Sequence, residues 1–195
     1  MKLLLASNSP RRKELLSQLG YDFEVVKIDV DESYPEDLKP NQISEYVSAK
    51  KAAALEVRPG EVLLTSDTIV ALDQQILLKP KSEQEAFAML KKLSAKTHQV
   101  YTAFTIKTNA SQLSRTSKTD VEFSEINDDE INFYINNYKP FDKAGSYGIQ
   151  EWLGMAKIKK ITGSFYSVMG LPVDLVYEEL KKLACFPSNF QNRKP

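Results

Sequence analysis

Apolar residues recur with the spacing of a strand in some segments of the chain and with the spacing of a helix in others, which predicts an alternation of strands and helices. Short apolar runs bounded by turn residues predict strands at about residues 2–7, 22–28, 62–72, 98–107 and 119–124, with two more near 155–161 and 164–168. An apolar stripe at helical spacing through Ile43 and Val47 predicts a helix over about residues 41–57. This mixed order predicts an α/β fold in which a largely continuous sheet is covered by helices.

Residues that favour helix ends predict further helices. Two pairs have the spacing of a capping box, in which residues three apart satisfy each other's backbone N–H groups. They are Ser82 with Glu85 and Asn127 with Glu130. Pro172 can begin the last helix, because proline suits the first helical turn.

The composition places limits on the partners of the protein. With 195 residues the chain can bury one substantial core, and we expect a single domain over residues 1–186 and a frayed tail over 187–195. The 26 acidic and 26 basic residues cancel, so we expect neither nucleic acid nor a membrane as a partner. A single cysteine, Cys185, excludes an internal disulfide and fits a reducing cytoplasm, where we expect the protein. Because the net charge is zero, any anion-binding site must come from a local cluster of basic residues.

Residues 6–14 place positive charge where a helix least favours it. Ser9 and Pro10 are typical of the N-cap and the first helical position, so the basic residues at positions 11–13 fall in the first turn, where the helix dipole is already positive. Backbone N–H groups and paired arginines at such an end can bind a phosphate, whose charge offsets theirs. The alternative is a solvated basic turn neutralised by Glu14.

Carboxylates in two places indicate a hard divalent cation. Asp67 interrupts the apolar run at 62–72, where a buried carboxylate needs a metal, a cation or a catalytic task, unless it only caps a strand end. A second group lies on a loop before Pro35 and consists of Asp29, Asp31 and Glu32. Such oxygen ligands suit Mg²⁺ or Mn²⁺. The alternative is a solvated acidic loop.

Two lysines and a glycine-punctuated loop could complete a site for a phosphorylated ligand. Lys51 lies on the apolar helical stripe and leans toward the core, unless its ammonium reaches back to solvent. Lys79 follows an apolar strand at a turn, where it could equally be an exposed turn residue. In residues 142–150 the glycines permit close backbone approach and the Gln150 amide can pair with a base edge, with a plain turn as the alternative. The only histidine, His98, favours a structural hydrogen bond over zinc binding.

Several segments are too specific in combination to be coincidental. They are Leu4-Leu5-Ala6-Ser7-Asn8-Ser9-Pro10-Arg11-Arg12, Asp31-Glu32, Lys51-Ala52, Ser66-Asp67-Thr68-Ile69-Val70, Lys79-Pro80, His98-Gln99-Val100-Tyr101-Thr102, and Asp142-Lys143-Ala144-Gly145-Ser146-Tyr147-Gly148-Ile149-Gln150. Through them the chain resembles the Maf family of septum formation proteins, regarded as nucleoside triphosphate pyrophosphatases, over about residues 2–183. The resemblance implies a Maf/ITPase-like α/β fold, an elongated mixed sheet flanked by helices with a cleft between two lobes, and a homodimer.

The resemblance also implies roles for individual residues. The positions that match substrate-binding residues of the family are Ser7, Arg11, Arg12, Lys51, Lys79 and Gln150. Glu32 and Asp67 match acids that bind a divalent metal, which would be Mg²⁺, Mn²⁺ or Co²⁺. The positions implied to take part in catalysis are Asp67, as the base, with Arg12, Lys79 and Gln150. Lys143 and Tyr147 are weaker candidates in the same loop as Gln150.

Gln150 matches the marker of the branch that acts on dTTP and UTP, and we expect hydrolysis of a pyrimidine nucleoside triphosphate to the monophosphate and pyrophosphate. Three positions depart from the family pattern: Ser66 replaces a common alanine, Ala95 a common glycine, and Glu151 stands where a glycine often follows the glutamine. The last departure bears on nucleotide preference. The alternative function is a nucleotide-sensing regulator of cell division without turnover, for which no pair of acids is needed.

Overall fold

The computed structural model describes residues 1–188. The strands in this range are β1 Lys2–Ala6, β2 Phe23–Val25, β3 Glu61–Leu72, β4 Gln75–Leu77, β5 Thr97–Lys107, β6 Gln112–Phe123 and β7 Ile158–Thr162. The helices are α1 Pro10–Gln18, α2 Pro40–Ala53, α3 Glu83–Leu93, α4 Asp128–Tyr138, α5 Trp152–Lys157, α6 Phe165–Met169 and α7 Val173–Lys182. Two short 3-10 turns cover Pro140–Asp142 and Ala144–Ser146.

The strands form a mixed sheet. Their order is β2-β1-β3-β5-β6-β7, and β4 pairs with β3. β1 runs parallel to both β2 and β3, with Leu4 opposite Glu24 on one side and Leu63 on the other. β4 is antiparallel to β3, and β7 is antiparallel to β6. The four residues after Lys2 in β1 are all buried, as is typical of a parallel strand with two neighbours, and the predicted α/β fold is confirmed.

One predicted strand is wrong. Residues 164–168 were expected to be extended, but α6 occupies this segment, and the Ser164 hydroxyl accepts a hydrogen bond from the Ser167 N–H at 3.3 Å, as a residue at a helix start does. The run is too short for its apolar residues to distinguish the two periods. The strand predicted near 155–161 is present as β7, but it begins only after α5 ends at Lys157.

The helix-start predictions are confirmed in most details. Asn127 and Glu130 form a complete capping box at α4. At α3, Ser82 accepts from the Glu85 N–H, while the Glu85 carboxylate accepts from the backbone N–H of Lys81, so only half of the expected box forms. Ser9 occupies the N-cap position of α1 without a side-chain capping bond. Its hydroxyl therefore does not satisfy the first helical N–H groups.

The chain divides into two compact units. Unit 1 contains Met1–Asp67, Thr102–Thr116 and the chain from Gly170 onward, and unit 2 contains Thr68–Tyr101 and Ser117–Met169. One apolar cluster of unit 1 joins β1, α2 and β3 through Leu4, Ala6, Ala52 and Leu63. The larger cluster of unit 2 contains residues of α3, β6 and α4. The expectation of a single domain over residues 1–186 stays a prediction, and most of the predicted tail lies outside the described residues.

The helices within residues 1–188 are short, and the longest is Pro40–Ala53. None of those within residues 1–188 has the length and apolar character that crossing a bilayer requires.

Candidate functional site

A buried lysine on α2 is the centre of an ion cluster in unit 1. The buried face of α2 recurs through Ile43 and Val47 to Lys51, so the helical period itself turns this lysine inward. The Lys51 ammonium lies 2.9 Å from Oε1 of Glu32 and 2.9 Å from Oδ1 of Asp67. The side chain of Lys51 is only 10% exposed, and that of Asp67 is 14% exposed. The two carboxylates offset the free energy of removing this ammonium from water.

Asp67 is placed by a break in the burial of β3. The residues from Val62 to Ser66 are buried and those from Ile69 to Leu72 are buried again, whereas Asp67 and Thr68 between them are half-buried. The strand therefore gives the carboxylate access to polar surroundings while the flanking residues keep its backbone in the core. This position explains how an aspartate can interrupt an otherwise apolar strand.

The opening basic segment is tied to the same unit by hydrogen bonds. The Ser7 hydroxyl accepts from the Ser9 N–H at 3.2 Å and from Nη1 of Arg12 at 3.4 Å. Nε of Arg12 donates to the Gly170 carbonyl oxygen at 2.8 Å. These contacts hold the Arg12 guanidinium in one orientation, with its planar fork directed by two fixed acceptors.

Electrostatics link Arg12 to the carboxylates. Burial lowers the pKa of the Arg12 guanidinium from its ordinary value, Asp67 acts against this shift, Arg11 adds to it, and Glu32 again opposes it. These four charged side chains therefore lie close enough to influence one another. Together with Ser7 and Lys51 they account for all the predicted site residues of unit 1.

The predicted acidic loop divides between two lysines. Asp31 lies 3.5 Å from the Lys50 ammonium, whereas Glu32 contacts Lys51, so neighbouring carboxylates pair with neighbouring lysines. Only the Glu32 pairing is shared with Asp67. Within residues 1–188, no group of three or more histidine, cysteine, aspartate or glutamate side chains is arranged to hold a metal ion.

The remaining pair of carboxylates fits a small hard cation. Glu32 and Asp67 already converge on a single positive group, the Lys51 ammonium, so both can approach one centre of charge. Mg²⁺ commonly takes only one or two protein carboxylates and completes its shell with water and substrate phosphate oxygens. The donor set of unit 1 is compatible with that manner of binding.

Unit 2 contains the other two predicted site residues. Lys79 is exposed in the irregular segment that follows β4. Gln150 is half-buried in a turn closed by a 3.1 Å hydrogen bond from the Glu151 N–H to the Gly148 carbonyl. Its Oε1 atom is buried and has no hydrogen-bond partner within the described chain. A buried acceptor without a donor is unusual in a folded protein.

His98 has the structural role expected from the sequence. It is fully buried, and its Nε2 lies 2.7 Å from the Tyr147 hydroxyl. Burial lowers the His98 pKa to about 4, while Asp120 acts in the opposite direction. The ring is therefore neutral near pH 7 and holds Tyr147, which precedes the turn that carries Gln150.

A link between β3 and Arg12 was not predicted from the sequence. The Ser66 hydroxyl donates to the Ala103 carbonyl at 2.7 Å and approaches the Gly170 carbonyl at 3.2 Å, the same oxygen that accepts from Arg12. The only available signal was that a serine at this position replaces a common alanine. Its partners could not be identified, because Gly170 lies 104 residues away in the chain.

The fold and the ion cluster define an α/β protein with cations and paired carboxylates gathered on one compact unit. The chain belongs to the Maf family, since the model of the Maf-like protein family matches residues 2–183. It is 51% identical over 185 residues to the dTTP/UTP pyrophosphatase of Bacteroides thetaiotaomicron, covering 93% of this chain and 96% of that protein. The dTTP/UTP pyrophosphatase of Phocaeicola vulgatus is likewise 51% identical, with the same coverage.

A weaker likeness exists among solved structures. The Ham1 protein of Staphylococcus aureus matches with a TM-score of 0.47 and 14% identity, over 63% of this chain and 72% of that chain.

Proposed function

We propose that this protein is a nucleoside triphosphate pyrophosphatase that hydrolyses dTTP and UTP to the nucleoside monophosphate and pyrophosphate. The observation that carries the proposal is the Lys51 ammonium shared by Glu32 and Asp67, within the electrostatic reach of Arg12. Cationic side chains are needed to bind a triphosphate. Its hydrolysis needs a general base, such as a carboxylate, that accepts a proton from the attacking water. Membership of the Maf family and the names of the curated relatives support this proposal.

In the proposed reaction, Asp67 accepts a proton from the attacking water. The water oxygen forms a bond to the α-phosphorus, and the bond from that phosphorus to the oxygen shared with the β-phosphorus breaks. Pyrophosphate leaves with the electron pair of the broken bond. Arg11, Arg12 and Lys51 bind the triphosphate oxygens and stabilise the negative charge that develops on the leaving group. The Ser7 hydroxyl orients Arg12 and lies at the proposed phosphate-binding loop.

The same reaction is proposed to need a divalent cation, Mg²⁺, Mn²⁺ or Co²⁺, held by Glu32 and Asp67. Such an ion would supply positive charge that polarises phosphoryl oxygens and lowers the pKa of a nearby water. Lys51 holds the two carboxylates close together, because its ammonium lies 2.9 Å from an oxygen of each.

For unit 2 we propose a role in contacting phosphate for Lys79 and a role in base recognition for Gln150. Uracil and thymine present an N3–H donor beside the O4 acceptor, and a glutamine amide offers one acceptor and one donor in complementary order. Lys79 is exposed, so its ammonium is accessible to an anion. A cytoplasmic location and a homodimer remain part of this proposal.

The test is pyrophosphate release from a panel of nucleoside triphosphates with Mg²⁺, Mn²⁺ or Co²⁺. We expect release from dTTP and UTP in preference to CTP and purine nucleotides, with one nucleoside monophosphate formed per pyrophosphate. Formation of a diphosphate and inorganic phosphate would contradict the proposed bond cleavage. Tight nucleotide binding with no product under any metal would instead support a regulator without turnover. This function is less favoured, because a regulator does not need the paired carboxylates of Glu32 and Asp67.

A further inference from the structure

A single buried hydroxyl holds both ends of the turn that carries Gln150. The Gly148 N–H donates to the Tyr134 hydroxyl oxygen at 2.9 Å, and the same hydroxyl donates to Oε2 of Glu151. The turn itself is closed by the Glu151 N–H, which donates to the Gly148 carbonyl at 3.1 Å. Positions 148 and 151 are thus tied to each other and to one atom of α4, with Gln150 between them.

An ion pair holds the other oxygen of Glu151. The Lys143 ammonium lies 3.0 Å from Oε1 of Glu151 and 2.8 Å from Oδ1 of Asp142. The side chains of Lys143 and Glu151 are 9% and 19% exposed, so water screens their attraction only weakly. Burial, and then the hydrogen bond to Glu151, raise the pKa of Tyr134 above its ordinary value, and the hydroxyl keeps the proton that it donates.

Close packing leaves this turn little freedom. A Cβ atom added at Gly148 would lie 2.7 Å from Cδ of Glu151, so the turn packs directly against its own carboxylate. A Cβ atom added at Gly154 would overlap the carbonyl oxygen of Ile149, so the start of α5 packs equally closely against the middle of the turn. The backbone on both sides of Gln150 is therefore held in one conformation.

Holding this backbone matters because an amide can read two bases. In one orientation, the Gln150 amide complements the N3–H and O4 of uracil or thymine, and after a 180° rotation it complements the N3 and amino group of cytosine. Discrimination therefore requires that the orientation and position of the amide be set by its surroundings. The Oε1 atom of Gln150 has no hydrogen-bond partner in residues 1–188, so no donor of the protein itself uses this acceptor.

We propose that Tyr134, Glu151 and Lys143 are positioning residues that set the Gln150 amide for uracil or thymine and against cytosine. This inference rests on the proposed function and deepens it by assigning base selectivity to a hydrogen-bond network beneath the turn. Glu151 stands where a glycine often follows the glutamine in the family, so this chain adds a carboxylate brace at that position. The three residues act through Gln150 and need not touch the substrate.

The test compares kcat and KM for UTP and CTP in the full-length protein, in Tyr134→Phe and in Glu151→Ala. The two nucleotides share ribose and triphosphate, so a loss of folded protein or of phosphate chemistry lowers both rates together. We expect the ratio of kcat/KM for UTP to that for CTP to fall about tenfold in each variant, the scale of one misplaced buried hydrogen bond, mainly through a higher KM for UTP. The double variant should fall by less than the product of the two single effects, because both variants remove the same Tyr134–Glu151 hydrogen bond.

Two controls separate positioning from a general disturbance. Tyr138→Phe removes a hydroxyl from the ring that stacks on Tyr134, and should leave the ratio unchanged. Glu151→Gln retains an acceptor for the Tyr134 hydroxyl, and should recover most of the ratio lost in Glu151→Ala. An unchanged ratio in folded Tyr134→Phe and Glu151→Ala, or an equal fall in Tyr138→Phe, overturns the inference while leaving the proposed function intact.

Two further outcomes are decisive. If Tyr134→Phe does not fold, the partly exposed Glu151→Ala decides alone, and a wild-type ratio there overturns the inference. If the wild-type protein releases pyrophosphate from no nucleotide, the proposed function itself fails and this inference fails with it.

Discussion

The Lys51 ammonium lies 2.9 Å from Oδ1 of Asp67, and both side chains are largely shielded from water. Burying a charge costs free energy unless it is paired, and these two side chains pair with each other. Glu32 contacts the same ammonium, which means that Lys51 keeps one partner if Asp67 is neutralised.

Asp67→Asn should therefore fold normally and lose turnover. We expect kcat to fall about 10²- to 10⁴-fold, the usual contribution of a positioned general base, with little change in far-ultraviolet circular dichroism. The matched control is Asp73→Asn, the same chemical change on an exposed turn residue. A kcat for Asp67→Asn within twofold of wild type would remove Asp67 from the chemical step.

Arg12→Ala should weaken triphosphate binding. The variant loses both a cation and the 2.8 Å hydrogen bond to Gly170, so we expect KM to rise roughly 10- to 100-fold, as for a charged hydrogen bond of a few kcal/mol. The KM of Arg12→Lys should lie between those of the wild type and Arg12→Ala, because lysine keeps the charge and loses the planar fork of the guanidinium. Arg58→Ala on an exposed loop is the control. If neither KM nor kcat changes in Arg12→Ala, the phosphate-binding role of this segment is wrong.

Removal of divalent metal should abolish pyrophosphate release, and Mg²⁺ should restore it. Glu32→Gln should raise the Mg²⁺ concentration for half-maximal activity by about tenfold, because a neutral amide is a weaker ligand for a hard cation. The exposed Glu36→Gln on the same loop provides the control. Full activity in a chelator would contradict the metal requirement, and an unchanged Mg²⁺ dependence in Glu32→Gln would remove this residue from metal binding.

The sequence predicted best those features that depend on local periodicity. Lys51 could be placed on the buried side of α2 because burial there follows the helical period from Ile43 onward. The strand at 164–168 was wrong because so short an apolar run fits either period, and the Ser164 hydroxyl favours the helix. β6 begins at Gln112, seven residues before the predicted start at 119, since its first residues are largely exposed and lack an apolar pattern.

Features that depend on tertiary contacts could not be predicted. The Tyr134 hydroxyl contacts residues 14 and 17 positions further along the chain, and no spacing rule relates them. The same holds for the Gly170 carbonyl, which accepts a hydrogen bond from Arg12, 158 residues away in the chain. Sequence reasoning thus indicated which side chains suit the chemistry, whereas only the fold shows which of them are held in place.

The only histidine gives the folded protein a specific dependence on pH. Burial lowers the His98 pKa from 6.5 to about 4, so between these values the unfolded chain binds a proton that the folded chain does not. His98 thus contributes its full stability above about pH 6.5, and that contribution is lost as the pH falls toward 4. From pH 7 to pH 5 we expect a loss of about 2 kcal/mol in the free energy of unfolding from this residue.

Urea unfolding measures this loss when it is followed by the fluorescence of Trp152, the only tryptophan and a residue of the same unit as His98. His98→Gln cannot titrate, so it should be less stable at pH 7 and lose about 2 kcal/mol less than wild type on going to pH 5. Equal losses in the two proteins would show that His98 is protonated in the folded state.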